Sequence, residues 1–145
     1  LTKKDLSIIK KEKPWGIILF KRNILSKKQV IILIKKIRMT MKDSKYPILI
    51  DEEGGKVTRL SNFLDNSIYN QKYFGEIFKL NKKVGATFYK TYIDSLSKIL
   101  INLGININTS PVLDLTKKNT HKVIGNRSYS TNPSDCHCII KSIKL

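Results

Sequence analysis

Three consecutive carboxylates, Asp51, Glu52 and Glu53, end a short apolar run, with Gly54-Gly55 directly behind them and Arg59 eight residues after Asp51. Ionised carboxylates are pure acceptors and a guanidinium offers five fixed donors, so such a group can clasp neighbouring hydroxyls or close on itself as ion pairs. Two converging carboxylates could also do acid–base work. Retaining glycosidases hold such a pair about 5–5.5 Å apart. Residues i and i+2 on an extended chain point the same way about 6.5–7 Å apart, so spacing alone leaves Asp51 and Glu53 open as a catalytic pair. On residue types alone, an ion pair of Arg59 with Asp51 or Glu53 is the commoner outcome.

Further along, Asp114 closes a Pro111-Val112-Leu113-Asp114 run, and Arg127 sits in Val123-Ile124-Gly125-Asn126-Arg127. His121 reads as an exposed loop histidine, and Arg22, in a Lys-Arg-Asn turn, as structural. Cys136-His137-Cys138 superficially resembles a metal cluster, yet a structural zinc site wants four ligands and helical positions i and i+2 face apart. Ordinary reduced cysteines are expected, and no metal. Gly54-Gly55 lacks both the Lys-Ser/Thr of a phosphate loop and the dinucleotide spacing.

Positioning these groups requires strands and helices in alternation. Residues 1–13 read as a lysine-rich helix with Leu6, Ile8 and Ile9 as its apolar side, ended at Pro14. Residues 17–20 form a continuous apolar run suited to a buried parallel strand. Ser26-Lys27-Lys28-Gln29 has the pattern of a capping box, and Val30, Ile34, Ile37 and Met41 follow at helical spacing. Residues 48–50 form the next strand, completing a strand–helix–strand unit whose acidic tip lies at the strand's carboxyl end. Residues 60–73 read as loop with short turns and residues 73–80 as a short helix. Val84, Phe88, Tyr92, Leu96, Ile99 and Leu103 mark a long helix that Gly104 closes. Residues 105–115 alternate as a strand delivering Asp114, residues 116–129 form a polar loop, and Asn132-Pro133-Ser134-Asp135 starts a helix expected to run to the chain end.

The run Asp51-Glu52-Glu53-Gly54-Gly55-Lys56-Val57-Thr58-Arg59 resembles the Asp-Gln-Glu-Gly-Gly-x-Val-x-Arg signature of glycoside hydrolase family 3, and within it the bacterial β-N-acetylhexosaminidases. Three collinear blocks agree. Gly16-Ile17-Ile18-Leu19-Phe20-Lys21-Arg22-Asn23 is similar to the family's Gly-x-Ile-Leu-Phe-x-Arg-Asn turn. Residues 103–114 resemble its Gly-Ile-Asn-x-x-x-x-Pro-Val-Leu-Asp block, and Val123-Ile124-Gly125-Asn126-Arg127-Ser128-Tyr129 its Val-Ile-Gly-x-Arg-Ser-Tyr block.

The resemblance implies a partial (β/α)₈ TIM barrel, roughly its first half, since a complete one takes about 250 residues. The whole chain, 1–145, is then expected to be one incomplete barrel domain, truncated at its C-terminus and also at its N-terminus, where the first barrel strand would precede Leu1. The resemblance implies that Asp51, Arg59 and Arg127 bind an N-acetylglucosamine-containing saccharide. Glu53 and Asp114 would orient neighbouring groups, which sets the catalytic-pair reading aside. Glu52 departs from the family's Gln and adds a charge. The nucleophile and acid/base are expected beyond Leu145, so no catalytic residue is assigned here, and these 145 residues alone are expected to show no hydrolysis. No cofactor is implied. Peptidoglycan recycling is the implied setting. The open edges of a half-barrel imply a missing half or self-association. A family 3 β-glucosidase is the nearest other enzyme reading.

Composition adds a different class of function. The net charge is +17, which suits a nucleic-acid or polyanion binder. Yet 24 of the 28 basic residues are Lys and only four are Arg, the side chain favoured for bidentate phosphate and guanine recognition. The lysines are also spread along the chain. No nucleic-acid partner is therefore expected. No run approaches the roughly 20 apolar residues of a membrane span, so no membrane partner is expected either. Residues 1–13 lack a signal-peptide apolar core, and a cytoplasmic setting is expected.

Overall fold

The computed structural model describes residues 1–143. Three short strands, β1 (Ile17–Leu19), β2 (Ile48–Ile50) and β3 (Ile107–Asn108), make one sheet in the order β1-β2-β3. Both pairings are parallel, Ile17 to Leu19 lying against Ile48 to Ile50, and Leu49 and Ile50 against Ile107 and Asn108. Helix α2 (Lys27–Met41) crosses from β1 to β2; α3 (Gln71–Leu80) and α4 (Lys82–Leu103) cross from β2 to β3. Helix α1 (Lys3–Glu12) precedes the first strand, and α5 (Pro133–Lys141) follows the last loop. Parallel strands need such crossovers, and with them all three strands point their carboxyl ends the same way.

The spacing of apolar residues dictates the packing. In α2, Val30, Ile34 and Ile37 are buried and meet Leu96, Leu100 and Leu103 of α4 over Leu19, Ile48, Ile50 and Ile105. Ser26 caps α2 by accepting from the Gln29 amide at 3.2 Å, but the Gln29 side chain accepts from Leu25 N–H, not Ser26, so only half of the expected capping box forms. Asn81 ends α3 and caps α4, accepting from the Lys83 and Val84 amides at 3.1 Å. Gly104 takes the left-handed value expected after α4, φ 90°, and its carbonyl accepts from Arg38 Nη2 at 2.9 Å, tying the end of α4 to α2.

A second cluster joins α3, α4 and α5 around Phe74, Phe78, Tyr89 and Tyr129. Gly75 makes it possible: a Cβ there would lie 1.8 Å from the Tyr129 carbonyl oxygen. The Tyr89 and Tyr129 hydroxyls share a buried hydrogen bond of 2.5 Å. Burial pushes Tyr89 up to about 12 and raises Tyr129 further.

Several sequence expectations need correction. Helix α1 buries no residue, and Ile8 on its supposed apolar side is 49% exposed. Ile18 in β1 is exposed, so that run alternates instead of being buried throughout. The long strand over 105–115 reduces to Ile107–Asn108, because β2 offers no partner beyond Ile50 and Pro111, with no N–H, cannot continue a ladder. Helix α5 ends at Lys141; its expected run to the chain end falls partly outside the described residues.

Candidate functional site

The site is assembled from the segments that leave the carboxyl ends of the strands. Phe20 follows β1, Asp51-Glu52-Glu53 follow β2, and Thr109 follows β3. In open and closed parallel sheets alike, ligands are received at this rim.

Strand alternation extends past the end of β2. Ile48, Ile50 and Glu52 are all 0% exposed, so Glu52 continues the inward row as a buried carboxylate. Such a group is tolerated only when its oxygens are satisfied. Glu52 Oε1 accepts from Thr58 Oγ1 at 2.5 Å and Asn66 Nδ2 at 3.0 Å. Glu52 Oε2 accepts from the Arg59 and Leu60 amides at 2.6 and 3.0 Å. The carboxylate therefore gathers the whole return segment after the turn. Its backbone is held too, since Asn108 accepts from Glu52 N–H and donates to Glu52 C=O, both at 3.0 Å. Glu52 thus places an acceptor where four donors converge.

The turn itself depends on Gly54. Its φ of 81° lies in the left-handed region, and a Cβ there would fall 2.1 Å from the Tyr69 carbonyl oxygen. Glu53 N–H then donates to Val57 C=O at 3.0 Å, closing a tight loop that brings Arg59 back over the strand end.

Asp51 and Arg59 meet as an ion pair of 3.5 Å, each side chain 24% exposed. The other Asp51 oxygen accepts from Thr109 Oγ1 at 2.7 Å. The Arg59 guanidinium lies 5.5 Å from the Phe20 ring centroid, and its Nε is buried without a partner among the described residues. Arg22 lies over the other part of the same environment, 4.9 Å from the Phe20 centroid.

Arg127 is delivered by a 3₁₀ turn, Gly125–Arg127, in the long polar loop. It donates to both oxygens of Glu53, at 2.7 and 2.9 Å, a two-bond fork in which Glu53 is nearly buried. The hydrogen bonds that Arg127 donates to Glu53 raise its pKa, and the charges of Glu53, Asp114 and Asp51 add to the rise. Asp51 and Glu53 are therefore committed to different arginines, not to each other. Asp114 lies in the irregular segment beyond β3, exposed, and acts on Arg127 through charge. A small cavity of about 20 Å³ beside Arg127, bounded by Gly54, Asn70 and Ile124, has room for a water but not for a sugar. The polar groups instead line an open rim.

His121 is exposed, its ring accepting from the Val123 amide at 3.2 Å. Cys136 is buried and Cys138 exposed, on different sides of α5; burial pushes the Cys136 thiol up, away from reactivity. Among the described residues no group of three or more His, Cys, Asp or Glu could hold a metal ion.

Sequence reasoning missed the Glu52 hub, the Asn108 clamp, the Thr109 contact and the Phe20 platform. Glu52 was findable, because it stands in phase with Ile48 and Ile50. The others follow from strand register, which the sequence does not display.

Comparison with known proteins settles the family. The pattern of the glycosyl hydrolase family 3 N-terminal domain matches residues 2–143. The chain belongs to glycosyl hydrolase family 3. Beta-hexosaminidase A of Pseudoalteromonas piscicida is 33% identical over 130 residues, covering 82% of this chain and 20% of that protein. Beta-hexosaminidase of Neisseria meningitidis serogroup B is 34% identical over 122 residues, covering 81% of this chain and 32% of the relative. NagZ from Neisseria gonorrhoeae, solved in complex with N-trifluoroacetyl-D-glucosamine, superposes with a TM-score of 0.86 at 28% identity, covering 99% of this chain and 42% of that one. This family 3 chain thus spans a fifth to two fifths of the length of these relatives. Its three parallel strands and crossover helices are part of a barrel of that kind.

Proposed function

We propose that this chain is the saccharide-seating part of a family 3 β-N-acetylhexosaminidase that removes terminal N-acetylglucosamine. The observation that carries the reading is the convergence of two carboxylate–guanidinium pairs, Asp51 with Arg59 and Glu53 with Arg127, at the carboxyl rim of one parallel sheet. Relatives bearing the name beta-hexosaminidase, and a solved relative holding an acylated glucosamine, support the choice of sugar.

In this reading Asp51 accepts from sugar hydroxyls while Arg59 and Arg127 donate to ring substituents. Glu53 and Asp114 act through Arg127, the first by direct hydrogen bonds and the second by charge. Bond cleavage follows the two-step retaining route of paired carboxyl chemistry, with its nucleophile and acid/base supplied from outside these 145 residues. The reading calls for no cofactor. Because cell-wall glycans carry the same acetamido sugar, we place the activity in peptidoglycan recycling in the cytoplasm.

The test is hydrolysis of matched aryl N-acetyl-β-glucosaminide and aryl β-glucoside by the protein as its organism makes it, with the 145-residue chain assayed beside it. A natural product that continues past these 145 residues should cleave the acetamido substrate with clear preference, and the 145-residue chain should bind without cleaving. Preference for the plain glucoside would instead favour a family 3 β-glucosidase.

A further inference from the structure

We propose that the outer face of α1 and α2 is a docking surface for an anionic lipid bilayer. The inward face of α2 is spent on the core through Val30, Ile34 and Ile37, at most 2% exposed. Half a turn away, Ile32 and Met39 are 56% and 79% exposed. They stand seven residues apart, which returns to nearly the same side of a helix. Lys28 and Lys35 border this aliphatic row on one side and Lys36 on the other. Shallow depressions of about 400 and 490 Å³ flank Met39, the first bounded by Lys35 and Lys36 and the second by Lys35, Arg38 and Lys42 with one carboxylate, Asp43.

Helix α1 extends the surface. It packs beside α2, buries nothing, and leaves Ile8 exposed among Lys3, Lys4, Lys10 and Lys11. A third depression, about 360 Å³, lies where Lys10 and Lys13 meet Lys42. Although no single run of lysines stands out, 14 of the 28 basic residues but only three of the 11 acidic ones lie in residues 1–45. Lysine abundance alone is a property of the whole surface. The aliphatic row is what singles this face out.

Charge and shape select the occupant. A second copy would bring lysine rows against lysine rows. Nucleic acid satisfies the lysines but leaves Ile32 and Met39 against phosphate, and the row carries no aromatic ring for bases to stack on. The far side of an outer barrel helix is also where the rest of a barrel does not reach. A bilayer of anionic lipid satisfies both components: aliphatic tips sink to the headgroup boundary while lysine stems snorkel and their ammonium groups meet phosphate. Surface attachment needs no spanning segment, and it departs from the sequence expectation of no membrane partner.

The test is cosedimentation of the chain with phosphatidylglycerol-containing vesicles and with phosphatidylcholine vesicles, at low and high salt. Retention by the anionic vesicles at low salt, lost at high salt and absent with phosphatidylcholine, is expected. Lys35→Glu/Lys36→Glu should weaken partitioning at least ~10-fold. Ile32→Ser/Met39→Ser, which leaves the charge unchanged, should weaken it by a similar order, about 10-fold. Both double variants alter exposed side chains and should melt like the parent. No retention by anionic vesicles would overturn the proposal. So would serine variants that bind undiminished, or a DNA duplex bound more tightly than vesicles and insensitive to the serine changes.

Discussion

Arg127 reaches across 74 residues of sequence to grip Glu53, Nε on Oε2 at 2.7 Å and Nη2 on Oε1 at 2.9 Å. The pair anchors the long polar loop to the strand rim, and its strength comes from the near burial of Glu53. Truncating one partner leaves the other charged and poorly solvated. Glu53→Ala should cost about 1–3 kcal/mol, discounted from fully buried pairs because Arg127 is a quarter exposed. Urea unfolding measures it, and Arg127→Ala should cost a comparable amount if the two act as a unit.

Glu52 offers a sharper contrast between substitutions. Glu52→Leu strands four donors, two of them buried at about 1–3 kcal/mol each, and should unfold the turn or the chain. Glu52→Gln should cost only about 1 kcal/mol, since the Thr58 hydroxyl can turn and the Asn66 amide can flip to receive an N–H. Thermal melting of the two variants side by side checks the ordering. Equal loss would mean that charge, not hydrogen bonding, holds the segment.

Gly54→Ala combines left-handed backbone strain with a Cβ placed 2.1 Å from the Tyr69 carbonyl oxygen. Together these should cost about 2–4 kcal/mol and displace Arg59 from Asp51. The same substitution at Gly75 meets Tyr129 backbone at 1.8 Å and should loosen the aromatic cluster instead. Near-ultraviolet circular dichroism separates the outcomes, with the tyrosine signal lost chiefly in Gly75→Ala.

Burial raises Tyr89 to about 12 and raises Tyr92 and Tyr129 as well. A free tyrosine titrates near about 10. Because the folded values lie above the unfolded ones, these groups support the fold fully below about pH 10, and that support drains away as pH climbs toward the folded values. Spectrophotometric titration should therefore show Tyr89, Tyr92 and Tyr129 ionising together with alkaline unfolding.

Much of this arrangement could be read from residues. Helix α2 announced itself through 30/34/37, which bury one side against the sheet; in α4 the repeat holds at Leu96 and Leu103, whereas Val84 and Phe88 are exposed and Tyr89 is buried instead. The rim position of Asp51 followed from an apolar strand ending in acid. What escaped depended on partners distant in sequence. Pairing of β3 stops where β2 stops, so alternation through Leu115 was misleading. Glu52 drew little notice as one of three acids, though strand phase placed it inside. Arg59 and Arg127 pair with Asp51 and Glu53, and which carboxylate each holds depends on loop paths that no local pattern encodes.

The account rests on Asp51, Arg59 and Arg127 acting as one sugar-gripping set. The most direct measurement is a ¹H–¹⁵N shift titration of the chain with N-acetylglucosamine, run on the parent and on Asp51→Asn. Shifts should cluster at residues 51–59, Thr109 and Arg127 in the parent and vanish in the variant, with glucose producing weaker ones. Saturable shifts elsewhere, or shifts at the rim that survive Asp51→Asn undiminished, would contradict it.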